Sequence, residues 1–340
     1  MITLKDIAKE TGFSVTTVSR ALNNYPDVSQ KTKKIIQDKA NMLNYTPNII
    51  AQNLVMKKSK TIGLLVTDLK REGLKDNFTY EVLCGVTEES MLFDYEIILL
   101  TTTSSRQKNK NFQQVVNERK LDGIVVQGLK MDDAYLEEAI HSNTPTVLID
   151  IPIENETTGY VTSNQTTSVF NAILYLYQLG HKNIAFMNGH AQAYVSDIRF
   201  NAYKDALDHL KIPFKESFVA HGDYSEEISY QAFINLILQN PKITAIFCAS
   251  DIMALGVLKA AKELNIKVPE NLSVIGFDNI LLTQYVTPTL STIAQHPFIL
   301  GKEAVSLLIS IINNNSETPH HRIINNDFIV RESTSKISLD

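Results

Sequence analysis

Tyr45-Thr46-Pro47-Asn48-Ile49-Ile50-Ala51-Gln52-Asn53-Leu54 separates two parts of the chain that differ in charge and in pattern. Pro47 sits where a helix could begin, because its fixed φ suits the first turn and its missing N–H is not needed there. Good or tolerable helix formers run on to Leu54. Ile50 and Leu54 lie one turn apart on one face. A helix of about two turns is too short to stand alone in water, so it needs a partner. That partner is a second helix, some other surface that takes an apolar wedge, or the linker's own domain.

The charge on either side is unequal. Residues 1–60 hold ten Lys or Arg against four Asp or Glu, a net of +6, whereas the remaining residues hold 22 against 33, a net of −11. A basic head therefore precedes an acidic body. Such an asymmetry points to a polyanion bound by the head, since phosphate neutralisation by Lys and Arg dominates nucleic-acid affinity. The length of 340 residues and 44% hydrophobic content support two or three globular domains. Cys84 and Cys248 lie in separate apolar runs without C-x-x-C spacing, which reads as buried small hydrophobes rather than a disulfide or zinc site. With no signal-peptide core at the N-terminus and no uninterrupted apolar run of about 18 residues, the expected location is the cytoplasm, without membrane contact.

Within the head, Thr3-Leu4-Lys5-Asp6 fits a capping box that starts a first helix, with Leu4, Ile7 and Ala8 on its apolar face. Thr11-Gly12 ends it, and Ser14 caps a second helix whose Val18, Ala21 and Leu22 share a face. Two helices joined by a short glycine-containing turn make a helix-turn-helix. The opposite face of the second helix carries Val15, Thr16, Ser19, Arg20 and Asn23. Small and hydroxylated residues let a helix sit deep in a major groove, and Arg20 has the fork that guanine accepts. A third helix is expected from Ser29 to Leu43, packing through Ile35, Ile36, Ala40 and Leu43. Lys31, Lys33 and Lys34 crowd its first turns against the helix dipole, where either a polyanion or solvent would receive them.

These motifs, at this spacing, resemble the LacI/GalR family of bacterial transcription regulators. The resemblance rests on Leu4-Lys5-Asp6-Ile7-Ala8, on Val15 through Asn23, on Val28-Ser29, and on Asn44-Tyr45-x-Pro47-Asn48-x-x-Ala51-x-x-Leu54. It implies a DNA-binding set of Thr3, Leu4, Lys5, Ser14, Val15, Thr16, Thr17, Ser19, Arg20, Asn23, Ser29, Asn48, Ala51 and Leu54. It also implies that the hinge helix folds over the operator centre and that Leu54 enters the minor groove, trading base unstacking for a bent duplex. Val55 stands where some relatives carry Lys.

From Thr61 the pattern changes to short apolar runs separated by helical stretches. The runs are Ile62–Val66, Glu96–Leu100, Gly123–Gln127, Thr146–Ile149, Ile184–Met187, Ala245–Cys248 and Leu272–Ile275. Between them lie 81–92, 132–140, 169–179, 198–210, 228–238 and 253–264. Strands buried on both faces and linked by crossover helices predict parallel sheets. The pattern restarts near Tyr160 to Gln165, so the fold class is α/β: an all-α helix-turn-helix head with a hinge helix, then two doubly wound lobes. The expected boundaries are 1–46, 47–60 and 61–340. Ligands of such lobes bind past the carboxyl ends of strands, which nominates Gln127, Asp150, Ser250, Asp251, Phe277 and Asp278. Asp251 is expected only to cap the helix after it.

The resemblance continues through the body. It is carried by Leu179-Gly180-His181, Arg199-x-x-Ala202-Tyr203, Ser250-Asp251-x-x-Ala254-x-Gly256, Val274-Ile275-Gly276-Phe277-Asp278, Pro288-x-Leu290-Ser291-Thr292-Ile293 and Arg331-x-Ser333. It implies the fold of periplasmic sugar-binding proteins and an effector pocket of Asn77, Phe78, Gln127, Asp150, Arg199, Tyr224, Ser250 and Asp278. Arg199 would supply donors and Asp278 acceptors to vicinal hydroxyls. Asn164 stands where many relatives have Asp, and Ser250 where lac-type members have Asn.

No phosphate loop, G-x-G-x-x-G, G-x-S-x-G elbow or H-E-x-x-H occurs, so catalysis is not expected, nor a cofactor or metal. His320 and His321 are expected in a solvated loop. The reading is a repressor that binds double-stranded operator DNA as a homodimer under control of a carbohydrate-like effector, with a phosphoprotein corepressor as a further possible partner. The alternative is a cytoplasmic sugar-binding sensor or enzyme whose basic head binds a protein. One helix-turn-helix reads a half-site, which argues for twofold pairing. The stretch after Arg331 has no leucine heptads to build a tetramer.

Overall fold

The computed structural model describes residues 2–45, 58–69, 77–314 and 320–337. The chain divides into two units, Met1–Ser59 and Lys60–Asp340.

In the first unit, α1 (Leu4–Thr11), α2 (Val15–Leu22) and α3 (Gln30–Met42) form around a small core of Ile7, Val18, Ala21, Ile36 and Ala40. Each start is fixed by a short polar side chain. Asp6 Oδ2 accepts from Thr3 N at 2.8 Å, Ser14 Oγ accepts from Thr17 N at 3.1 Å, and Ser29 Oγ accepts from Thr32 N at 3.2 Å. Gly12, at φ 71, closes α1 in the left-handed region that an L side chain rarely enters. Two expectations for α3 need correction. Ile35 is 44% exposed, because the core face is occupied by its neighbour Ile36. Lys33 is buried and neither solvated nor held out for a polyanion: its Nζ donates to Asn24 O at 3.1 Å. The expected hinge helix, with Asn48, Ala51 and Leu54, falls outside the described residues.

The second unit holds two six-stranded sheets. In lobe 1, the order is β11-β5-β4-β3-β1-β2, built from β1 (Thr61–Thr67), β2 (Glu96–Thr102), β3 (Gly123–Gln127), β4 (Thr146–Ile149), β5 (Thr158–Ser163) and β11 (His321–Ile324). In lobe 2 it is β12-β10-β9-β8-β6-β7, built from β6 (Ile184–Asn188), β7 (Val219–His221), β8 (Ala245–Cys248), β9 (Ser273–Asp278), β10 (Ser291–Ala294) and β12 (Asp327–Ile329). The two orders correspond strand for strand. All of these pairings are parallel except β10 with β12.

Apolar residues on both faces explain the layers. Along β1, Ile62, Leu64 and Val66 pack into one cluster, while Leu65 faces another with Ile124 and Val126. The first face is covered by α4 (Phe78–Leu92) and α12 (Pro297–Ile312). Those helices meet backbone to backbone: a Cβ on Gly85 would lie 2.0 Å from Phe298 O. The second face takes α6 (Phe112–Arg119) and α7 (Ala134–Ile140); the short α5 (Ser104–Gln107) precedes them. Lobe 2 is wrapped by α8 (Gln165–Gln178), α9 (Tyr194–His209), α10 (Glu226–Gln239) and α11 (Asp251–Glu263).

The chain passes between the lobes three times: from β5 to α8, from β10 to α12, and from β11 to β12. Division by sequence order at Tyr160–Gln165 therefore describes only the first crossing. His320 and His321 are not loop residues in solvent. His321 begins β11 and stacks on Tyr160 at 5.1 Å, and the buried His320 sets its Nδ1 3.0 Å from Asn155 O. The segment after Arg331 packs on lobe 2, where Ser333 is fully buried and its Oγ donates to Val274 O at 2.6 Å. No helix among the described residues is long and apolar enough to cross a membrane.

Candidate functional site

The ends of β4, β8 and β9 open on a cavity of about 910 Å³ within the second unit. Lobe 1 contributes Asp68, Phe78, Lys130 and Asp150, and lobe 2 contributes His190, Arg199, Tyr224, Ser250 and Asp278. Six of the eight effector residues named from sequence thus meet on one surface. Asn77 lines an adjoining space of about 430 Å³, which shares Phe78, Asp278 and Gln295 with the first. Gln127 is buried beneath: its Nε2 donates to Thr79 Oγ1 at 2.9 Å, and it does not line either space.

Backbone geometry aims the site. Asp68, Asp150, Asp223, Tyr224 and Asp278 all have positive φ, between 51 and 116. Non-glycine residues seldom adopt that region, and they cluster where surrounding structure fixes a functional group. Asp278 ends a strand, and the other four follow one.

The polar groups are tied into one network. Arg199 is 3% exposed on α9; its Nε donates to Gln165 Oε1 at 2.7 Å, its Nη1 donates to Ala249 O, and its guanidinium lies 3.7 Å from the Phe277 ring centroid. Asp150 Oδ1 accepts from Thr162 Oγ1 at 2.7 Å and from Gln165 Nε2 at 3.1 Å. Burial raises the Asp150 carboxyl above its ordinary range, opposed by the Thr162 hydroxyl and the Arg199 charge. Asp278 Oδ1 accepts from Gln295 Nε2 at 2.7 Å. Tyr224 OH lies 3.0 Å from Ser196 Oγ, and burial pushes its phenol upward. Ser250 caps α11 by accepting from Met253 N at 3.3 Å, so the expected cap is not Asp251. Asp251 turns inward instead, accepting from Thr292 Oγ1 at 2.6 Å and Ile280 N at 2.9 Å; burial raises it to about 7. It steadies the loop that carries Asp278, and Gly276 must lack a Cβ because one would lie 2.0 Å from Asp251 Oδ1.

Sequence reading missed one side of the mouth. Lys130 Nζ pairs with Asp68 at 3.2 Å, and the His190 ring meets the Tyr224 ring edge-on at 5.5 Å. Burial, then the Lys130 charge, lowers the His190 pKa, and its Nδ1 makes no hydrogen bond to the described residues. Nearby, Met131 N donates to Gln192 O at 2.9 Å, one backbone bond joining lobe 1 to lobe 2. Asp68, Lys130 and His190 each lie just past a strand end, the signal that nominated Asp150. No group of three or more potential metal ligands occurs among the described residues.

In the head, Thr3, Lys5, Ser14, Val15, Thr16, Arg20 and Ser29 are exposed; Leu4, Thr17, Ser19 and Asn23 are half-buried. Arg20 is held in place on its own domain. Its Nη2 lies 2.8 Å from Asp27 Oδ2, its Nε donates to Asp27 Oδ1 at 3.2 Å, and its guanidinium sits 4.9 Å from the Tyr25 ring centroid. Asn23 Nδ2 donates to Ser19 O at 2.8 Å.

Comparison with known proteins matches residues 3–48 to the model of bacterial regulatory proteins, lacI family, and residues 173–334 to a periplasmic binding protein-like domain. A probable HTH-type transcriptional repressor, ExuR of Bacillus subtilis (strain 168), is 36% identical over 99% of this chain and 100% of its own. The HTH-type transcriptional repressor CytR of Escherichia coli (strain K12) is 33% identical over 98% of this chain and 96% of its own. The fold matches that of the lac repressor dimer bound to operator and the anti-inducer ONPF, with a TM-score of 0.80 at 24% identity, covering 98% of this chain and 99% of that one.

Proposed function

The chain belongs to the lacI family of bacterial regulatory proteins, and we propose that its head reads operator DNA while the cleft of its body senses the effector. It is a transcriptional repressor rather than an enzyme, as its relatives are. The observation that carries the sensing role is the meeting of Asp150, Arg199 and Asp278 from two lobes on one cavity. Carboxylates accept only, and Arg donates only. Asp68, Asp150, Asp223 and Asp278 outnumber the cations Lys130 and Arg199 there, so the lining suits a ligand rich in O–H donors, as a carbohydrate is. Phe78 and Tyr224 offer ring faces to its C–H groups.

On the head, Val15, Thr16, Ser19 and Arg20 form the reading face, with Thr3, Lys5, Ser14 and Ser29 positioning the backbone of the duplex. A homodimer in the cytoplasm presents two such heads to a pseudo-palindromic operator. Asn48, Ala51 and Leu54 are assigned to the operator centre on the sequence pattern alone.

A thermal-shift panel of mono- and oligosaccharides, sugar phosphates and purines tests the sensor; a ligand present at 100 times its Kd stabilises by about 2.7 kcal/mol. A gel shift on DNA upstream of the gene, repeated across salt concentrations with and without the hit, tests the reader. An inducer loosens binding, whereas a small-molecule or phosphoprotein corepressor tightens it. Absence of salt-sensitive DNA binding would sink the proposed role of the head.

A further inference from the structure

Two buried glutamines sit where the chain crosses between lobes, and each makes the same pair of contacts. Gln165, 2% exposed, opens α8 just after β5 has ended in lobe 1. Its Nε2 donates to Asp150 Oδ1 at 3.1 Å, and its Oε1 accepts from Arg199 Nε at 2.7 Å. Gln295, 6% exposed, follows β10 of lobe 2 on the way to α12. Its Nε2 donates to Asp278 Oδ1 at 2.7 Å, and its Oε1 accepts from Ser163 Oγ at 2.8 Å. In both, the NH₂ end holds a cleft carboxylate and the carbonyl end holds a donor of the other lobe. Asp150 belongs to lobe 1 and Arg199 to lobe 2; Asp278 belongs to lobe 2 and Ser163 to lobe 1. The bridges adjoin, because Thr162, next to Ser163, also donates to Asp150 Oδ1.

Their polarity has no alternative. A carboxylate only accepts and a guanidinium only donates, so the amide between Asp150 and Arg199 has a single orientation. Rotation of one lobe against the other changes the Asp150–Arg199 and Ser163–Asp278 separations together. A side chain of fixed length then loses one end, and a buried amide left with an unpaired end carries the full desolvation penalty of that group. Each bridge is therefore complete at one lobe angle only.

We propose that Gln165 and Gln295 are positioning residues that couple the aim of the two cleft carboxylates to the angle between the lobes. The proposal rests on the reading of this cleft as the effector site. With both bridges made, Asp150 and Asp278 are each fixed through Oδ1 by a glutamine that also grips the other lobe; when the lobes part, that tie is lost and Asp150 keeps only the Thr162 hydroxyl of its own lobe. A ligand that needs the two carboxylates in register then binds one lobe angle better than another, which is what a ligand must do to shift a conformational equilibrium.

Gln165→Glu and Gln295→Glu in the full chain test this. In Gln295→Glu an ionised carboxylate faces Asp278 with like charge, whereas a protonated one restores a donor to Asp278 and keeps the acceptor for Ser163. In Gln165→Glu the Arg199 guanidinium at the other end holds the new carboxylate ionised, so its repulsion of Asp150 persists across the range. Spin labels on Lys108→Cys in lobe 1 and Asn235→Cys in lobe 2, both exposed, report the lobe separation, with Cys84→Ser and Cys248→Ala removing the native thiols. The parent measured at about pH 5 and about pH 8 sets the reference distribution at each pH, because Asp251, raised to about 7, changes its own charge within this range. Both Glu variants should lose the parent's distribution at about pH 8 in favour of longer distances, and Gln295→Glu should regain it at about pH 5. Parent-like distances in both variants at the higher pH would overturn the proposal, and so would a displacement in Gln295→Glu that is indifferent to pH. Should a Glu variant fail to fold, the uncharged Gln295→Leu replaces it: longer distances at both pH values support the coupling, and parent-like distances overturn it. The measurement needs no ligand, so a blank thermal-shift panel would count against the effector reading and leave this result standing.

Discussion

Arg20 and Arg199 are the two guanidiniums proposed above to meet a ligand, and their surroundings are opposite. Arg20 is 45% exposed, paired with an Asp27 that is 51% exposed, and water competes for every contact it makes. Arg199 is 3% exposed and is held by Gln165, Ala249 and the Phe277 ring. A surface Arg gives up an intramolecular partner cheaply, which suits a residue that must exchange Asp27 for a base or phosphate. A buried Arg is already desolvated and oriented, which suits a residue that must not move when its ligand arrives. The reader is adaptable and the sensor is rigid within each lobe.

Breaking the buried side should have the largest effect. Arg199→Leu leaves Gln165 Oε1 and Ala249 O without their donor and Asp150 without a compensating charge. The expected loss is about 3–5 kcal/mol in urea unfolding of the body, the range for removing one partner of a buried charged network. A loss under about 1 kcal/mol would show that solvent already reaches this guanidinium.

Asp278→Asn tests the acceptor side of the same cleft. Asn keeps the size but replaces one acceptor oxygen by a donor, so hydrogen bonds from two ligand hydroxyls cannot both persist. Affinity for the hit from the thermal-shift panel should fall by about 1.5–3 kcal/mol, more than tenfold, by calorimetry. Parent-like affinity together with parent-like switching on DNA would make Asp278 a structural residue.

On the exposed side, Arg20→Ala should weaken operator binding by about 1–3 kcal/mol and relax base preference at one position of each half-site. Unchanged sequence preference would remove Arg20 from the readout. The smallest effect belongs to its partner. Asp27→Asn should change the melting of the head by under about 1 kcal/mol and leave operator affinity equal or slightly tighter, because Arg20 no longer has a competitor. A weaker operator complex would mean that Asp27 orients Arg20 for its base.

The contrast also decides what could be read in advance. Caps at Thr3, Ser14 and Ser29, and buried runs such as Ile62–Val66 and Ala245–Cys248, write their structure locally. Strand ends then point to Asp150, Ser250 and Asp278 without any tertiary knowledge. The strands left unread lack such a signal. β5 (Thr158–Ser163) and β10 (Ser291–Ala294) are rich in Thr and Ser, and their burial rests on distant partners: Thr162 donates to Asp150, Ser163 to Gln295, Thr292 to Asp251 and Ser291 to Arg331 O. β7, β11 and β12 are short edge or near-edge strands. Gln127 and Ile35 show the limit of pattern reading: the position was legible, but the side chain's partner, Thr79 or solvent, depends on segments far away or on a one-residue turn of the helix. Gln165 and Gln295 could not be singled out because glutamine carries no charge and no periodic mark.

The three crossings have a consequence for synthesis. Lobe 1 begins at Lys60, yet α12, which covers one of its faces, spans Pro297–Ile312, and β11, an edge of its sheet, spans His321–Ile324. Domains emerging from a ribosome generally fold as units, from the N-terminus onward. Here the lobe that starts first finishes after most of lobe 2 has been made, and until then β1 to β5 present an apolar face with no helix 12 to cover it. A nascent chain stalled before residue 297 therefore exposes the very layer that the finished protein hides, which makes the stretch of synthesis before α12 emerges the interval in which a chaperone has something to hold.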